Sequence, residues 1–336
     1  MGALVYTNYI YSTYIIGAFK AYPEPVAVKL RRALWYSNQD LQPKNALKYY
    51  RQALSVAEEL GMDPFSDEIL GIKIQVASLM EKTQQYQKAI DVLEIVRAGC
   101  LNWIELLGDK PRNEGKRTRV LQKAIGMSVR LGELYSHQNI ADTAAAEEKL
   151  VWAVTTVLKE RKRREDEGVK EGEGEWMSND EIGAALESLG THYESINQHY
   201  LATPLFLQAV ALSPPTSCHT VILMNNLSIS LAQQLPPPTP SSPPASRTEL
   251  VQNARIWGER ALAVASAIKP PERNEECDQG CAVATINLGE FAEMEGLVEE
   301  ARRRFEEGKG LSRVMGFREG VEMAEKGLER LKARET

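Results

Sequence analysis

The chain has 336 residues, of which 43% are hydrophobic, and it carries a formal net charge of −6. This hydrophobic fraction is normal for a folded protein, so the chain can bury a core. The excess of acidic side chains argues against nucleic acid as the main partner, because neutralising phosphates requires a basic surface. Sequence signals for β-strands are scarce, and we therefore predict an all-α protein.

The N-terminal segment, residues 1–25, is predicted to be a separate, membrane-proximal region. No charged residue occurs from Ala3 to Phe19, where tyrosine and isoleucine residues crowd together, and basic residues begin at Lys20. A membrane-spanning helix needs about 20 largely apolar residues, which is more than this stretch provides. Three interpretations are open: the end of a membrane span whose start precedes this sequence, an interfacial aromatic segment, or a first helix packed on the following residues. We favour the first.

From residue 26 onward a repeated pattern of small and large apolar residues predicts pairs of helices. In each unit a small residue is followed about a dozen residues later by alanine, and then by a large apolar residue one helical turn further on. The first three units are marked by Ala33-Leu34 with Ala46, Tyr50 and Ala53, by Val76-Ala77 and Met80 with Ala89, Leu93 and Val96, and by Leu131-Gly132 and Tyr135 with Ala146, Leu150 and Ala153.

The fourth unit has the clearest pattern, and its positions are Leu186, Leu189-Gly190, Tyr193, Ala202, Phe206, Ala209 and Pro214. This spacing is typical of the tetratricopeptide repeat (TPR), a helix–turn–helix unit of about 34 residues. Gly190 and Ala202 allow two antiparallel helices to approach closely, and Phe206 fills the space between them. Pro214 ends the second helix.

Two further units complete the array, which we predict to span residues 26–310. One begins at Asn226-Leu227-Ser228, and the other at Asn287-Leu288-Gly289. Residues 311–336 contain a predicted helix with a charged outer face that caps the last repeat. We therefore predict an all-α TPR superhelical solenoid of about six repeats with a C-terminal capping helix.

Three insertions lengthen the array. Residues 99–118 extend a helix and then turn, whereas the charged, glycine-bearing residues 160–177 are predicted to form a solvated loop. Residues 235–246 are proline-rich and are predicted to be a polyproline-like or disordered connector inside one repeat. Trp103 and Trp176 lie in or beside two of these insertions, and we expect buried side chains there rather than anchors for a partner.

The candidate binding residues follow from the repeat register. In a TPR solenoid the first helix of each repeat lines the concave surface. The peptide-groove candidates on these helices are Gln75, Arg130, Glu133, Thr191, Asn225, Asn226, Asn287 and Glu290. The amides of Asn226 and Asn287, at one offset in successive repeats, can donate and accept hydrogen bonds with an extended peptide backbone. The alternative is that these asparagines bond to neighbouring helices, and the sequence does not decide between the two.

The chain has four cysteines. Cys277 and Cys281 lie one helical turn apart and are the candidate disulfide pair, if the first helical turn frays. Cys277 with Cys218 is a second candidate pair, and a third interpretation is that the thiols are small buried side chains. No second pair of ligands has matching spacing, so we predict no metal site.

The sequence lacks the motifs that carry the common catalytic chemistries. It contains no phosphate-binding G-x₄-G-K-[ST], no G-x-S-x-G nucleophile elbow and no H-E-x-x-H. The four histidines do not fall at ligand spacings with carboxylates. We therefore predict a non-enzymatic protein that needs no cofactor.

Five short segments resemble one fungal family. They are Lys20 to Ala27 (KAYPEPVA), Leu30 to Leu34 (LRRAL), Asn45 to Tyr50 (NALKYY), Cys277 to Cys281, and Asn287 to Glu290 (NLGE). The family is the TPR adaptor subunit of the i-AAA protease of the mitochondrial inner membrane. The resemblance implies a single N-terminal membrane span, a TPR domain in the intermembrane space, delivery of unfolded substrates to the protease, and a structural role for the two cysteines.

We therefore expect a non-catalytic adaptor that binds unfolded or extended polypeptide in a TPR groove and delivers it to that protease. Its partners would be substrates, protease subunits and a membrane, but not nucleic acid. Two alternatives stay open. One is a scaffold that contacts folded partner subunits, and the other is a cytosolic TPR co-chaperone, which would need clustered Lys and Asn to clamp a terminal carboxylate.

Overall fold

The computed structural model describes residues 19–234 and 246–335. The predictions for residues 1–18 and for the proline-rich residues 235–245 lie outside this range. In the part of the chain that is described, no helix has the length and apolar character needed to cross a membrane.

The described residues form thirteen α-helices in two compact units that divide between Trp176 and Met177. Unit one contains α1 (Glu24–Asn38), α2 (Pro43–Glu59), α3 (Asp67–Lys82), α4 (Tyr86–Leu107), α5 (Glu114–Ser136) and α6 (Thr143–Glu167). Unit two contains α7 (Asn179–Ser195), α8 (His199–Leu212), α9 (Cys218–Gln233), α10 (Arg247–Ala267), α11 (Glu275–Met294), α12 (Val298–Met315) and α13 (Arg318–Glu335). The all-α prediction is confirmed.

Consecutive helices pack as hairpins, three in the described part of each unit. Small residues permit their close approach. A Cβ atom added to Gly190 would lie 2.8 Å from the ring of Phe206, and one added to Gly289 would lie 2.9 Å from the ring of Phe305. Both rings are fully buried. The small-to-large pairing that marked the repeats in the sequence is therefore the contact between the two helices of a hairpin.

Local signals set several of the helix starts. Ser178 accepts a hydrogen bond from the backbone N–H of Glu181, whose carboxylate accepts one in return from the N–H of Ser178. Ser246 and Glu249 form the same reciprocal capping box at the start of α10. Each box satisfies backbone donors that have no partner in the first turn of a helix.

The predicted capping helix is α13. Its apolar side chains Ala324, Leu328 and Leu331 are buried in one cluster with Ile286 and Phe305 of the last hairpin. The six hairpins and the terminal helix of the described residues agree with the predicted TPR architecture.

The insertion at residues 99–118 contributes to the core of unit one. Helix α4 continues to Leu107, and Asn113 donates a hydrogen bond to the carbonyl of Leu107 before α5 begins. Trp103 is buried, with its ring centroid 5.9 Å from that of Phe65 and 4.6 Å from Lys116 Nζ. The expectation of a buried Trp103 is confirmed.

The interpretation of residues 160–177 as a solvated loop is confirmed for most of residues 168–175, which form an exposed loop, and is wrong for residues 160–167 and for Glu173. Residues up to Glu167 continue α6, and Glu160, Arg164 and Glu173 are buried. The Arg164 guanidinium donates to Glu160 Oε1 at 3.0 Å, to the Gly174 carbonyl at 2.9 Å and to Thr118 Oγ1 at 3.0 Å. It also lies 5.2 Å from the ring centroid of half-buried Trp176. These buried charges satisfy one another and hold the end of α6 against α5, whereas most of the other charged side chains of the segment face water.

Candidate functional site

In unit one the first helices of the three hairpins lie side by side. Lys82 of α3 donates to the carbonyl of Ser37 in α1 at 2.8 Å, and Arg130 of α5 donates through Nε to Glu81 Oε1 of α3 at 3.2 Å. We call the side formed by α1, α3 and α5 the first-helix face of unit one. The corresponding face of unit two is formed by α7, α9 and α11.

The predicted groove residues in unit one are exposed. Gln75 lies at the surface of α3, as does Ser78 at the next offset. On α1 the same two offsets carry Arg32 and Trp35, which were not among the predicted groove residues. The side chain of Trp35 is 57% exposed, which is unusual for a residue of this size. The repeat register alone was sufficient to place Trp35 on this face.

Arg130 and Glu133 are also exposed, but Arg130 is occupied by partners within the unit. It forms ion pairs with Glu81 and Glu133, the latter at 2.7 Å. Hydrogen bonding to Glu81, the largest cause, raises the pKa of the Arg130 guanidinium above its ordinary value. Arg130 therefore links α5 to α3, and a ligand would have to compete with both carboxylates for it.

In unit two the first-helix face is only partly open. Thr191 of α7 is exposed and Asn226 of α9 is half-buried. Asn225 is 1% exposed and donates through Nδ2 to the carbonyl of Gly280 at 2.9 Å, and Asn287 is 3% exposed. The prediction that Asn225 and Asn287 line an open groove is wrong, because α9 and α11 pack directly against each other. A Cβ atom at Gly280 would lie only 2.8 Å from Val221, so glycine permits this approach.

Glu290, the last groove candidate, is engaged by the terminal helix. Arg330 of α13 donates to Glu290 at 2.6 Å and to the buried carboxylate of Glu293 at 2.9 Å. Arg334 pairs with Glu293 as well, at 3.1 Å. The terminal helix therefore covers part of α11 that was predicted to face a ligand.

His219 bridges the three first helices of unit two. Its Nε2 atom lies 3.0 Å from Glu187 Oε2 of α7, and its Nδ1 atom lies 2.7 Å from Glu276 Oε1 of α11. The hydrogen bond to Glu187, reinforced by Glu276 and opposed by partial burial, raises the pKa of His219 to about 9. A charged imidazolium donates to both carboxylates at once. The sequence gives no sign of this bridge, because the partners of His219 are distant in sequence and lie on other helices.

The stability of unit two should therefore depend on pH through His219. Because its pKa is raised on folding, the bridge stabilises the protein fully below about pH 6.5, and this stabilisation is lost as the pH rises through about 9. Since the side chain is partly exposed, we expect a contribution below about 1 kcal/mol. Melting temperatures measured between about pH 6 and pH 10 should fall more for the wild type than for His219→Gln. Parallel pH profiles would contradict the bridge.

The cysteines form one disulfide in the described residues, between Cys218 and Cys277, whose Cα atoms are 4.6 Å apart. The pairing of Cys277 with Cys281 is wrong, because these residues occupy successive turns of one continuous helix and the packing of α9 on α11 brings Cys218 to Cys277 instead. Cys281 is a half-buried free thiol with Arg273 Nη2 at 3.9 Å. Cys100 is a buried free thiol, and burial raises its pKa to about 11.

Comparison with known proteins agrees with this architecture, although no protein-family model matches the chain. A TPR repeat-containing protein of Schizosaccharomyces pombe is 26% identical over 315 residues, which are 92% of this chain and 79% of that protein. The crystal structure of BtubC (BKLC) from P. vanneervenii aligns with a TM-score of 0.50 at 15% identity, over 87% of this chain and 91% of that one. The chain has a TPR-type fold.

A second solved structure supports the same fold. A point variant of a putative kinesin light chain from Podosopora anserina, which has nearly identical TPR-like repeats, aligns with a TM-score of 0.50 at 16% identity, over 75% of this chain and 97% of that one. TPR-type hairpins are typically binding modules whose exposed helix faces contact other proteins. In residues 19–234 and 246–335, no group of three or more His, Cys, Asp or Glu side chains is arranged to hold a metal ion.

Proposed function

We propose that this protein is a non-catalytic adaptor that binds unfolded or extended polypeptide on the first-helix faces of its TPR-type hairpins. It would deliver this polypeptide to the i-AAA protease of the mitochondrial inner membrane, with both units in the intermembrane space. The TPR-type fold supports a role in protein binding. The resemblance of five short segments, which lie between Lys20 and Tyr50 and between Cys277 and Glu290, to the fungal adaptor family supports the choice of protease.

The observation that carries the binding proposal is the open first-helix face of unit one. Trp35 and Ser78 are exposed at the same offset of neighbouring helices, and Gln75 is exposed three positions before Ser78. The amide of Gln75 and the hydroxyl of Ser78 can form hydrogen bonds with a peptide backbone whatever its side chains are, and the indole of Trp35 supplies a large apolar surface. This combination suits a ligand defined by being extended rather than by its sequence.

The disulfide supports the proposed compartment. Disulfides persist in oxidising compartments and are rare in the cytosol, where thiols are kept reduced. The bond between Cys218 and Cys277 is therefore easier to reconcile with the intermembrane space than with a cytosolic co-chaperone.

Substitution on the first-helix face tests the binding proposal. We expect Trp35→Ala to weaken binding of a fluorescent, permanently unfolded polypeptide by about 2 kcal/mol, roughly a 30-fold rise in Kd, because exposed tryptophans often dominate binding energy. Ile95→Ala is the matched control, since Ile95 is 74% exposed on α4, a second helix of a hairpin. Equal affinities for the two variants in a fluorescence anisotropy titration would rule out this face as the binding site.

Delivery is tested separately from binding. The protein should copurify with an AAA protease from mitochondria of a fungal host, and its loss should slow degradation of an unfolded intermembrane-space substrate. Recovery with cytosolic chaperones instead would support the co-chaperone alternative.

A specific observation favours the scaffold as the second candidate function. Helix α8 carries no Asp, Glu, Lys or Arg, and Tyr200, Leu201 and Leu207 are exposed on it. A face of this kind is suited to contact with a folded partner. We expect Leu207→Glu to abolish protease association in a pull-down while leaving binding of unfolded polypeptide unchanged. If the variant retains the protease, α8 is not the scaffolding surface.

A further inference from the structure

The disulfide lies where two first helices of unit two begin. Cys218 follows the N-cap residue Ser217 of α9, and Cys277 lies in the first turn of α11 after its N-cap residue Asn274. The side chain of Asn274 accepts a hydrogen bond from the backbone N–H of Cys277 at 3.2 Å. The covalent bond thus joins the starts of two successive hairpins on the first-helix side.

The disulfide encloses the fifth hairpin, whose two helices are joined by a long connection. These helices, α9 and α10, are separated in sequence by residues 234–246, whereas α7 and α8 are separated only by residues 196–198. A longer connection holds its two ends together less tightly, because the entropy of closing a loop rises with its length. The disulfide links residues 59 positions apart and encloses both helices of this hairpin.

The placement of the bond at two helix starts favours its reduction, whereas its burial slows the approach of a reductant. Cys218 and Cys277 are buried under the connection between α10 and α11, where the carbonyl of Glu272 lies 3.6 Å from Cys218 Sγ and Ile268 packs on both cysteines. Each sulfur belongs to the first turn of a helix, and the positive end of the helix dipole stabilises a thiolate there. A disulfide that yields stabilised thiolates is more readily reduced than one between unperturbed cysteines.

The bond is also coupled to the candidate binding face. His219 follows Cys218, Glu276 precedes Cys277, and these two side chains are hydrogen-bonded at 2.7 Å. His219 in turn contacts Glu187 on α7. Further along α9, the side chain of Asn225 is fixed to α11 through Gly280. The relative positions of α7, α9 and α11, and therefore of Thr191 and Asn226, depend on contacts adjacent to the disulfide.

We propose that the disulfide between Cys218 and Cys277 is a redox-sensitive brace that holds the first-helix face of unit two in its binding conformation. This regulatory role rests on the proposed function of that face. With the bond intact, α9 and α11 are locked together. With the bond reduced, the start of α11 separates from α9, the bridge from Glu276 to His219 breaks, and the face loses affinity for polypeptide.

The exchange chemistry requires a dithiol reductant. One thiolate of the reductant attacks Cys218 Sγ, the bond between the two cysteines breaks, and Cys277 leaves as a thiolate that takes up a proton. The second thiol of the reductant then attacks its own mixed disulfide and releases Cys218 as a thiol. Two electrons and two protons pass to the protein, and the reductant becomes a disulfide. Oxidised glutathione re-forms the disulfide between Cys218 and Cys277 by thiol–disulfide exchange in the opposite direction.

Hydrogen exchange of the full chain tests the brace directly. We expect dithiothreitol to raise the exchange rates in residues 217–221 and 274–281 by at least about tenfold, with no change in α3. The Kd for a permanently unfolded polypeptide should rise about fivefold on the same treatment. Oxidised glutathione should reverse both changes. The variant Cys218→Ala/Cys277→Ala should have the exchange rates and the Kd of the reduced protein, and dithiothreitol should change neither.

Two single variants serve as controls. Cys281→Ala and Cys100→Ala remove the free thiols and should keep the full response to dithiothreitol. Unchanged exchange in residues 217–221 and 274–281 after reduction overturns the brace, and so does a uniform rise across α7 to α13, which indicates global loosening. Failure of the oxidised protein to bind polypeptide contradicts the proposed function instead, and the exchange result then decides the brace independently.

Discussion

Replacement of Phe206 by alanine is expected to lower the free energy of local unfolding in the fourth hairpin by about 4 kcal/mol. The ring of Phe206 is fully buried between α7 and α8, where Gly190 lacks the Cβ atom that would collide with it. Removal of the ring loses the free energy of burying it and leaves a cavity against Gly190, which has no side chain to fill the space. The protection of α7 amides against hydrogen exchange measures this free energy residue by residue.

The matched control is the adjacent residue. Leu207 is an exposed large apolar side chain on the same helix, so Leu207→Ala should change the protection of α7 by less than about 1 kcal/mol. Similar losses in both variants would mean that the small-to-large contact between Gly190 and Phe206 does not determine the stability of this hairpin.

The hairpins were predictable because their signals are local. Gly190 and Phe206 belong to one unit of the pattern, and the contact between them needs only two neighbouring helices. The same is true of the capping box formed by Ser178 and Glu181, which lies within a single helical turn. A repeat register therefore fixes which helices pair and which offsets face the side formed by the first helices.

Contacts between hairpins were not predictable in this way. The register places Asn225 and Asn287 on the first-helix side, but it does not show that α9 and α11 pack closely enough to bury them. It also does not show that Arg330, on the terminal helix, reaches Glu290. How much of a TPR-type face remains open depends on the distance between successive hairpins, which is set by residues such as Gly280 outside the repeat signature.

Pairings between residues far apart in the sequence were not predictable either. Cys277 has a neighbouring cysteine in the sequence, yet it bonds to Cys218, which is 59 positions away. His219 looked unremarkable because Glu187 and Glu276 lie on other helices. Trp35 was missed for a different reason, because the offset at which Ser78 is exposed on α3 identifies it once that offset is applied to α1.

The interpretation of residues 160–177 as a solvated loop missed the buried charges of this segment, and Arg164→Ala tests how much they contribute to stability. The side chain of Arg164 is only 6% exposed, and its removal leaves Arg163 as the one arginine of the described residues that is paired with the buried carboxylates of Glu160 and Glu173.

We expect Arg164→Ala to cost about 3 kcal/mol in the stability of unit one, because loss of one partner from a buried ion network leaves charge uncompensated. Arg161→Ala is the matched control three positions earlier on α6, where the pair with Glu165 is exposed and worth about 0.5 kcal/mol or less. Chemical denaturation of the two variants compares a buried and a partly exposed arginine on one helix. Equal losses would mean that this charged segment lies in water after all, whereas a large difference makes it part of the core of unit one, holding α6 against Thr118 of α5.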